Sequence, residues 1–383
     1  MKYNLIGKSD LKVSKICLGT MTMGTQNNSE QSHNILNYAF DNGINFIDTA
    51  EQYPSPSSEK FYGKTEEIVG EWFKKKQNRN DIILATKMSG PGVPWIRGGG
   101  LQYNNFNIRK AVEGSLKRLN TDFIDLYQLH WPERFYQNFA FDPKIKFNDN
   151  FNKLESILSS FQQLIKEGKI RYLGLSNEDL NGLKAYVDLI KKNNFPEIVS
   201  MQNRYNLLYR NYDKEIIEFC KSNQISFLGY SPLAFGMLSG KHIDKPETES
   251  RIALYPEYFN RYSGKESKKS VIKYSKISQQ NNLKLVEMSM SYCFHKSFLT
   301  SSIIGSTSIN QLKEILDAFK IDLNPQIINQ INLVHSENKN PTYEKEFKIY
   351  NYLRNALALI FEGNFLDFYK KTIKFIKRIT KIN

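Results

Sequence analysis

Asp48, Tyr53, Lys87 and His130 are the residues of this sequence whose types and spacing could do chemistry together. Each stands at or just past the end of a short apolar run, and runs of this kind would be neighbouring parallel strands, so the four side chains would converge. A tyrosine can deliver a proton to an oxygen that turns negative as a carbonyl is reduced, provided a hydride donor stands near. Its ordinary pKa of about 10 is a handicap. An ammonium beside it favours phenolate and so strengthens the acid, while a carboxylate keeps that lysine charged where water is scarce. A histidine, neutral or protonated, can donate a hydrogen bond to the same oxygen and so orient the carbonyl. Singly, each residue has a plainer role: turn cap, packing aromatic, solvated cation, structural imidazole.

The elements that would position these residues follow a strand and helix rhythm from near the start to about residue 320. β-branched runs at 15–18, 45–48, 82–86, 123–129, 172–175, 199–202, 226–230 and 302–304 read as eight strands, with segments of helical period between them. Two of the helices, 29–41 and 154–167, run into Gly43 and Gly168, residues that tolerate a left-handed helix end. Eight βα units with no GxGxxG after the first strand predict an α/β fold closed as a (β/α)8 TIM barrel rather than an open doubly wound sheet. Barrel chemistry lies at strand C-termini. Three long connections, 89–106, 131–152 and 233–270, belong to that face and should wall the site. Trp95, Tyr103, Phe106, Trp131, Phe135 and Tyr136 within them either line an apolar or sugar-stacking pocket or anchor the loops.

Bulk properties narrow the class. At 383 residues and 40% hydrophobic content the chain can bury a large core. Cys17, Cys220 and Cys293 are far apart and form no CxxC pair, so they read as ordinary buried thiols, with neither a disulfide framework nor a metal site. The net charge of +14 comes from lysines scattered among Asn and Ile, with no nucleic-acid-binding spacing, so no nucleic-acid partner is expected. The first twenty residues lack an apolar stretch behind a basic start, and the apolar run at 356–361 is far too short to span a bilayer, which makes cytoplasm the expected address.

The local contexts of the four residues carry a resemblance. Ile47-Asp48-Thr49-Ala50-Glu51-Gln52-Tyr53, Ala85-Thr86-Lys87 and Leu126-Tyr127-Gln128-Leu129-His130-Trp131-Pro132, in that order and with Gly19-Thr20-Met21-Thr22-Met23-Gly24 before them, resemble the signatures of the aldo-keto reductases. The resemblance covers roughly residues 1–343. It implies hydride transfer from NADPH to an aldehyde or ketone, with NADH less suited, Tyr53 as general acid, Lys87 and Asp48 as its tuners, His130 as orienter and no metal. It also implies cofactor contacts from Thr20 and Met21, from Ser176, Asn177 and Gln202 to the nicotinamide carboxamide, and from Tyr230 stacked on the ring. Ser231, Pro232, Leu233, Gly236, Leu238, Gly240 and Lys241 would cross the pyrophosphate, where glycines let backbone amides approach charged oxygens. Gly305, Ser306, Thr307 and Gln311 would hold the adenosine 2′-phosphate near a helix N-terminus. The sequence departs from the pattern at Ile315, where many relatives place an Asn, and at Gln311, where others place an Arg. Arg251 and Arg261 could supply phosphate charge, although loop arginines are more often merely solvated.

Residues 344–383 extend past the resemblance as a basic amphipathic helical tail, apolar at Leu353, Leu357, Ile360, Phe361, Phe365, Phe368, Ile373, Phe375 and Ile376. Its expected use is packing on the barrel or self-association, with a protein partner or peripheral membrane contact as alternatives. Two other readings of the whole chain compete: a pyridine-nucleotide-binding regulatory subunit, and an isomerase or lyase using a lysine Schiff base. The complete set of four residues argues against the first, and the glycine-bearing segment 229–241 against the second.

Overall fold

A computed structural model describes residues 1–90, 93, 95–99, 102–133, 151–212, 214–243, 250–339 and 341–342. Phe135, Tyr136 and the tail at 344–383 lie outside the described residues. The chain opens with an antiparallel hairpin, β1 (Tyr3–Leu5) and β2 (Lys12–Ser14), which the strand count from sequence does not include. Eight parallel strands then close on one another: β3 (Ile16–Gly19), β4 (Phe46–Asp48), β5 (Ile83–Met88), β6 (Ile124–Leu129), β7 (Ile170–Ser176), β8 (Ile198–Arg204), β9 (Ser226–Tyr230) and β10 (Leu299–Ile304). Their order is sequential and β10 pairs back onto β3, so the predicted (β/α)8 barrel is the fold.

Around the barrel run α1 (Ser29–Asp41), α2 (Lys64–Lys76), α3 (Asn105–Leu119), α4 (Leu154–Lys166), α5 (Leu180–Asn193) and α6 (Glu215–Ser222). Their starts are chemically marked. Asn28 caps α1 by accepting from Gln31 N while the Gln31 side chain accepts from Asn28 N, and Asn104 and Asp179 cap α3 and α5 by accepting from Asn107 N and Gly182 N. The connection after β9 differs from expectation. It is not an open loop to residue 270 but holds α7 (Arg251–Leu254), α8 (Pro256–Phe259) and the start of α9 (Lys265–Gln280), and α10 (Leu285–Phe294) follows before the last strand. The 16-residue α9 is mostly polar, and only Val271, Tyr274 and Ile277 give it a buried apolar face, which is why its period is faint in sequence. α11 (Ile309–Ala318) and α12 (Pro325–Glu337) complete the chain's described part.

Two apolar layers hold the barrel. The larger, between strands and helices, takes the outward residues of each strand, such as Ile47, Tyr127 and Leu129. The smaller is the barrel interior, where Cys17, Phe46, Ala85, Leu126, Val199, Leu228 and Ile303 meet Ile6, Leu11 and Val13 from the hairpin. The hairpin therefore plugs the N-terminal end of the barrel and leaves the other end to polar residues. Lys15 seals the closure by donating to the carbonyls of Lys296 and Leu299 across the β3–β10 seam. All three cysteines are buried thiols outside any disulfide.

Candidate active site

Every barrel strand delivers at least one of the sequence-predicted residues to the same rim: Thr20 follows β3, Asp48 ends β4, Lys87 lies on β5, His130 follows β6, Ser176 ends β7, Gln202 lies on β8, Tyr230 ends β9 and Gly305 follows β10. Lys87 is completely buried, with Nζ donating to Asp48 Oδ2 at 2.5 Å and to the Thr49 carbonyl at 2.8 Å. The same ammonium lies 5.0 Å from the centroid of the Tyr53 ring. His130 meets Tyr53 edge-on, the ring centroids 5.7 Å apart at 80°. Thr20 braces the segment from the other side, its Oγ1 and N donating to the Asp48 carbonyl.

Electrostatics separate the four. Burial opposes charge on Lys87, but Asp48 and Tyr53 outweigh it and hold the ammonium above its usual range. Tyr53 goes the opposite way from the sequence expectation. Burial raises its phenol above the ordinary value, Asp48 adds to the rise, and Lys87 and Arg251 only partly offset it. The reason is that the phenol is half-buried against a neutralised pair, not against a lone cation. Burial, then Lys87, depress the His130 imidazole well below its ordinary value, so the ring is neutral at physiological pH. Its Nδ1 is buried without a hydrogen-bond partner among the described residues. A stranded lone pair costs less than a stranded N–H, so we assign the proton to Nε2.

Behind these residues a second set fixes their geometry. Asp48 Oδ1 accepts from Gln202 Nε2 at 2.8 Å and from Gln128 Nε2 at 3.2 Å. Asn177 donates to the His130 carbonyl at 2.9 Å and accepts from the Tyr230 hydroxyl at 2.7 Å. Buried Glu51 donates its own N–H to the Lys87 carbonyl, accepts from Ser89 N at 2.6 Å, and pairs with Arg97.

The chain matches the profile of the aldo/keto reductase family over residues 15–335. The chain belongs to that family. It is similar to Protein tas of Escherichia coli (strain K12), 36% identical over 343 residues covering 88% of this chain and 98% of tas. It is also 31% identical to the uncharacterized oxidoreductase YrpG of Bacillus subtilis (strain 168), over 87% of this chain and 95% of that protein. An aldo-keto reductase of Babesia bovis is 33% identical over 68% of this chain and 98% of its own length. This barrel is thus an oxidoreductase-family barrel, and its rim is the place to look for the family's chemistry.

Other predicted positions take distinct places in this aldo/keto reductase. Ser231 (φ 56°), Gly236 (φ 100°) and Gly240 (φ 88°) are left-handed, and Phe235 between them adopts φ 58°. A Cβ on Gly236 would stand 3.2 Å from Lys241 Cε, so that lysine runs across the glycine. Met21 and Leu233 are half-buried, whereas Pro232 and Leu238 are buried and face the packing rather than open space. Ser306 is buried and donates to the Ser308 carbonyl, while Gln311 Oε1 accepts from both Thr307 N and Thr307 Oγ1. Ile315 is core.

Arg251 and Arg261 are not merely solvated. Both guanidiniums lie over Phe235, at 5.9 and 5.5 Å from its centroid, and Arg251 Nη2 comes within 3.9 Å of where a Gly305 Cβ would be. Burial pushes Arg251 down to about 10. Of the expected pocket aromatics, Tyr103 and Trp131 are loop anchors: both are buried, and the Tyr103 hydroxyl donates to the Trp131 carbonyl at 2.5 Å. Phe106 is 66% exposed on α3, and Trp95 is half-buried.

Gly90 and Gln128 were invisible as site residues in sequence. A Cβ at Gly90 would sit 2.5 Å from Trp131 Nε1, and Trp131 lies 4.9 Å from the His130 ring. Gly90→Ala is therefore expected to push the indole onto His130 and lower kcat about tenfold, since sub-ångström errors at a reacting group are costly. Steady-state kinetics beside nucleotide titration checks this; an unchanged kcat would show that the indole moves away freely.

Proposed function

We propose that this protein reduces an aldehyde or ketone to the alcohol with NADPH, Tyr53 delivering the proton. The observation that carries the reading is the Asp48–Lys87 pair seated under the Tyr53 ring with neutral His130 at its edge. These residues suit a phosphate-bearing dinucleotide: Arg251, Arg261 and Lys241 bring cationic groups beside the left-handed turn at Gly236, and Gly305 leaves room beside the Arg251 guanidinium. A cofactor held there would supply hydride. Thr20, Met21, Ser176, Asn177, Gln202 and Tyr230 would hold its nicotinamide end. Ser231 to Lys241 would hold its pyrophosphate, and Gly305 to Gln311 with Arg251 its adenosine phosphate.

Tyr53 keeps its proton across the physiological range because burial holds the phenol above its ordinary value, so the acid is loaded before substrate arrives. As negative charge builds on the substrate oxygen, the adjacent Lys87 ammonium stabilises the phenolate left behind. His130, with its proton on Nε2, donates to the same oxygen and fixes its position. NADPH is preferred over NADH in this reading because Arg251 reaches the Gly305 corner, where a 2′-phosphate adds charge to attract it.

Fluorescence titration with NADPH and NADH, followed by nucleotide oxidation over a panel of aldehydes, ketones and keto-sugars, tests the proposal. Tighter NADPH binding with turnover is expected. Binding without turnover on any carbonyl would favour a nucleotide-binding regulatory role, and no binding of either nucleotide would end the reading.

A further inference from the structure

The floor of the rim contains a carboxamide pair that the four acid–base residues do not account for. Gln128 is the register partner of Lys87 on one side and of Gly174 on the other. Its side chain lies in the space Gly174 leaves empty, since a Cβ on Gly174 would stand 3.1 Å from Gln128 Cγ and 2.4 Å from Ser200 Oγ. From there Gln128 Nε2 donates to Asp48 Oδ1 at 3.2 Å, and Gln128 Oε1 accepts from Gln202 Nε2 at 3.1 Å. Gln202 Nε2 also donates to Asp48 Oδ1 at 2.8 Å.

The orientation of both amides is chemically forced. Asp48, salt-bridged to Lys87, is an acceptor only, so each glutamine must turn its nitrogen toward it. Gln202 then has one N–H on Asp48 and the other on Gln128 Oε1. Its donors are spent. The Gln202 carbonyl oxygen is left as that side chain's one polar atom without a partner among the described residues.

We propose that Gln128 is a positioning residue that makes Gln202 an acceptor only, so that the rim selects a ligand amide donating N–H over a ligand group that can only accept. Resting on the nucleotide reading above, the ligand group is the carboxamide of a pyridine nucleotide. Gln128 itself touches neither cofactor nor substrate in this account. It acts by occupying the second Gln202 N–H. Removing its oxygen releases that N–H, which can then turn toward the ligand while the first stays on Asp48.

The test compares NADP+ with its 3-acetylpyridine analogue, in which a methyl ketone replaces the carboxamide, by fluorescence titration of the full chain. Wild-type protein is expected to bind NADP+ about ten- to hundredfold more tightly, because the ketone leaves the Gln202 oxygen facing a methyl group. Gln128→Leu is expected to bring that ratio below about threefold, since the released N–H now serves the ketone oxygen. Gln128→Met, which keeps an unbranched chain of similar length in the space beside Gly174, is expected to do the same and guards against a packing artefact. A wild-type ratio maintained in both variants, with NADP+ still binding, overturns the inference and leaves the nucleotide reading intact. Failure of the wild type to bind either nucleotide overturns the reading itself, and the inference with it.

Discussion

Tyr53→Phe is expected to lower kcat/KM for carbonyl reduction about a thousandfold, roughly 4 kcal/mol of transition-state stabilisation, with nucleotide affinity unchanged within about twofold. The substitution removes one hydroxyl and keeps the ring that stands edge-on to His130 and over Lys87. In the proposed mechanism, what is lost is the proton that the developing alkoxide must receive. The pH profile carries a second signature. An acid must be protonated to act, so the reduction rate falls as pH rises through the Tyr53 pKa, which burial places above the ordinary 10. On the acid side, His130 becomes charged only well below its ordinary value of 6.5. The rate should therefore stay flat from below pH 6.5 to beyond pH 10. Turnover by Tyr53→Phe at the wild-type rate would remove Tyr53 from the mechanism.

Lys87→Met should be the most destabilising single change at the site, by about 3–5 kcal/mol, because it strands the Asp48 carboxylate beneath the rim without its ammonium. Gln128 and Gln202 still donate to that carboxylate, yet neither brings charge. The sign with pH follows from the raised folded-state value of Lys87. Its contribution is fully present below the unfolded lysine pKa and is lost as pH rises through the folded one. Urea unfolding of Lys87→Met, Asp48→Asn and the double variant separates structure from chemistry. The double variant should regain much of the lost stability, since neither partner is then left charged and alone, but none of the lost turnover, about a thousandfold. If the single Lys87→Met variant were as stable as wild type, the pair would not be the buried unit described.

These two experiments bear on residues that could be picked out in the chain itself, and the reason is local. Asp48, Lys87 and His130 end or follow runs whose period and composition already specify parallel strands, and strand polarity alone sends them to one rim. Tyr53 stands five residues past Asp48, a spacing short enough that no long-range packing decides its neighbourhood. The strands were legible to within a few residues for the same reason, because a buried parallel strand needs an uninterrupted apolar run.

Other features depended on contacts between distant segments. The hairpin at Tyr3–Ser14 has three-residue strands, too short to show alternation, and it is recognisable only as a plug in the barrel interior. The direction of the Tyr53 shift required knowing that burial outweighs a lysine already neutralised by Asp48. Arg251 and Arg261 read as loop arginines until short helices and Phe235 brought both guanidiniums over one ring beside Gly236. Gln202 is the clearest case. Alternation along β8 would put Val199 and Gln202 on opposite faces, three residues apart, yet both face the barrel interior. A register shift opposite Leu173 and Gly174 leaves Val199 outside the pairing and re-aims the strand. A one-residue bulge leaves no mark in composition or period, so the sequence determined the strands and the residues at their ends. Which amide meets Asp48 was decided only when eight strands closed and one of them slipped.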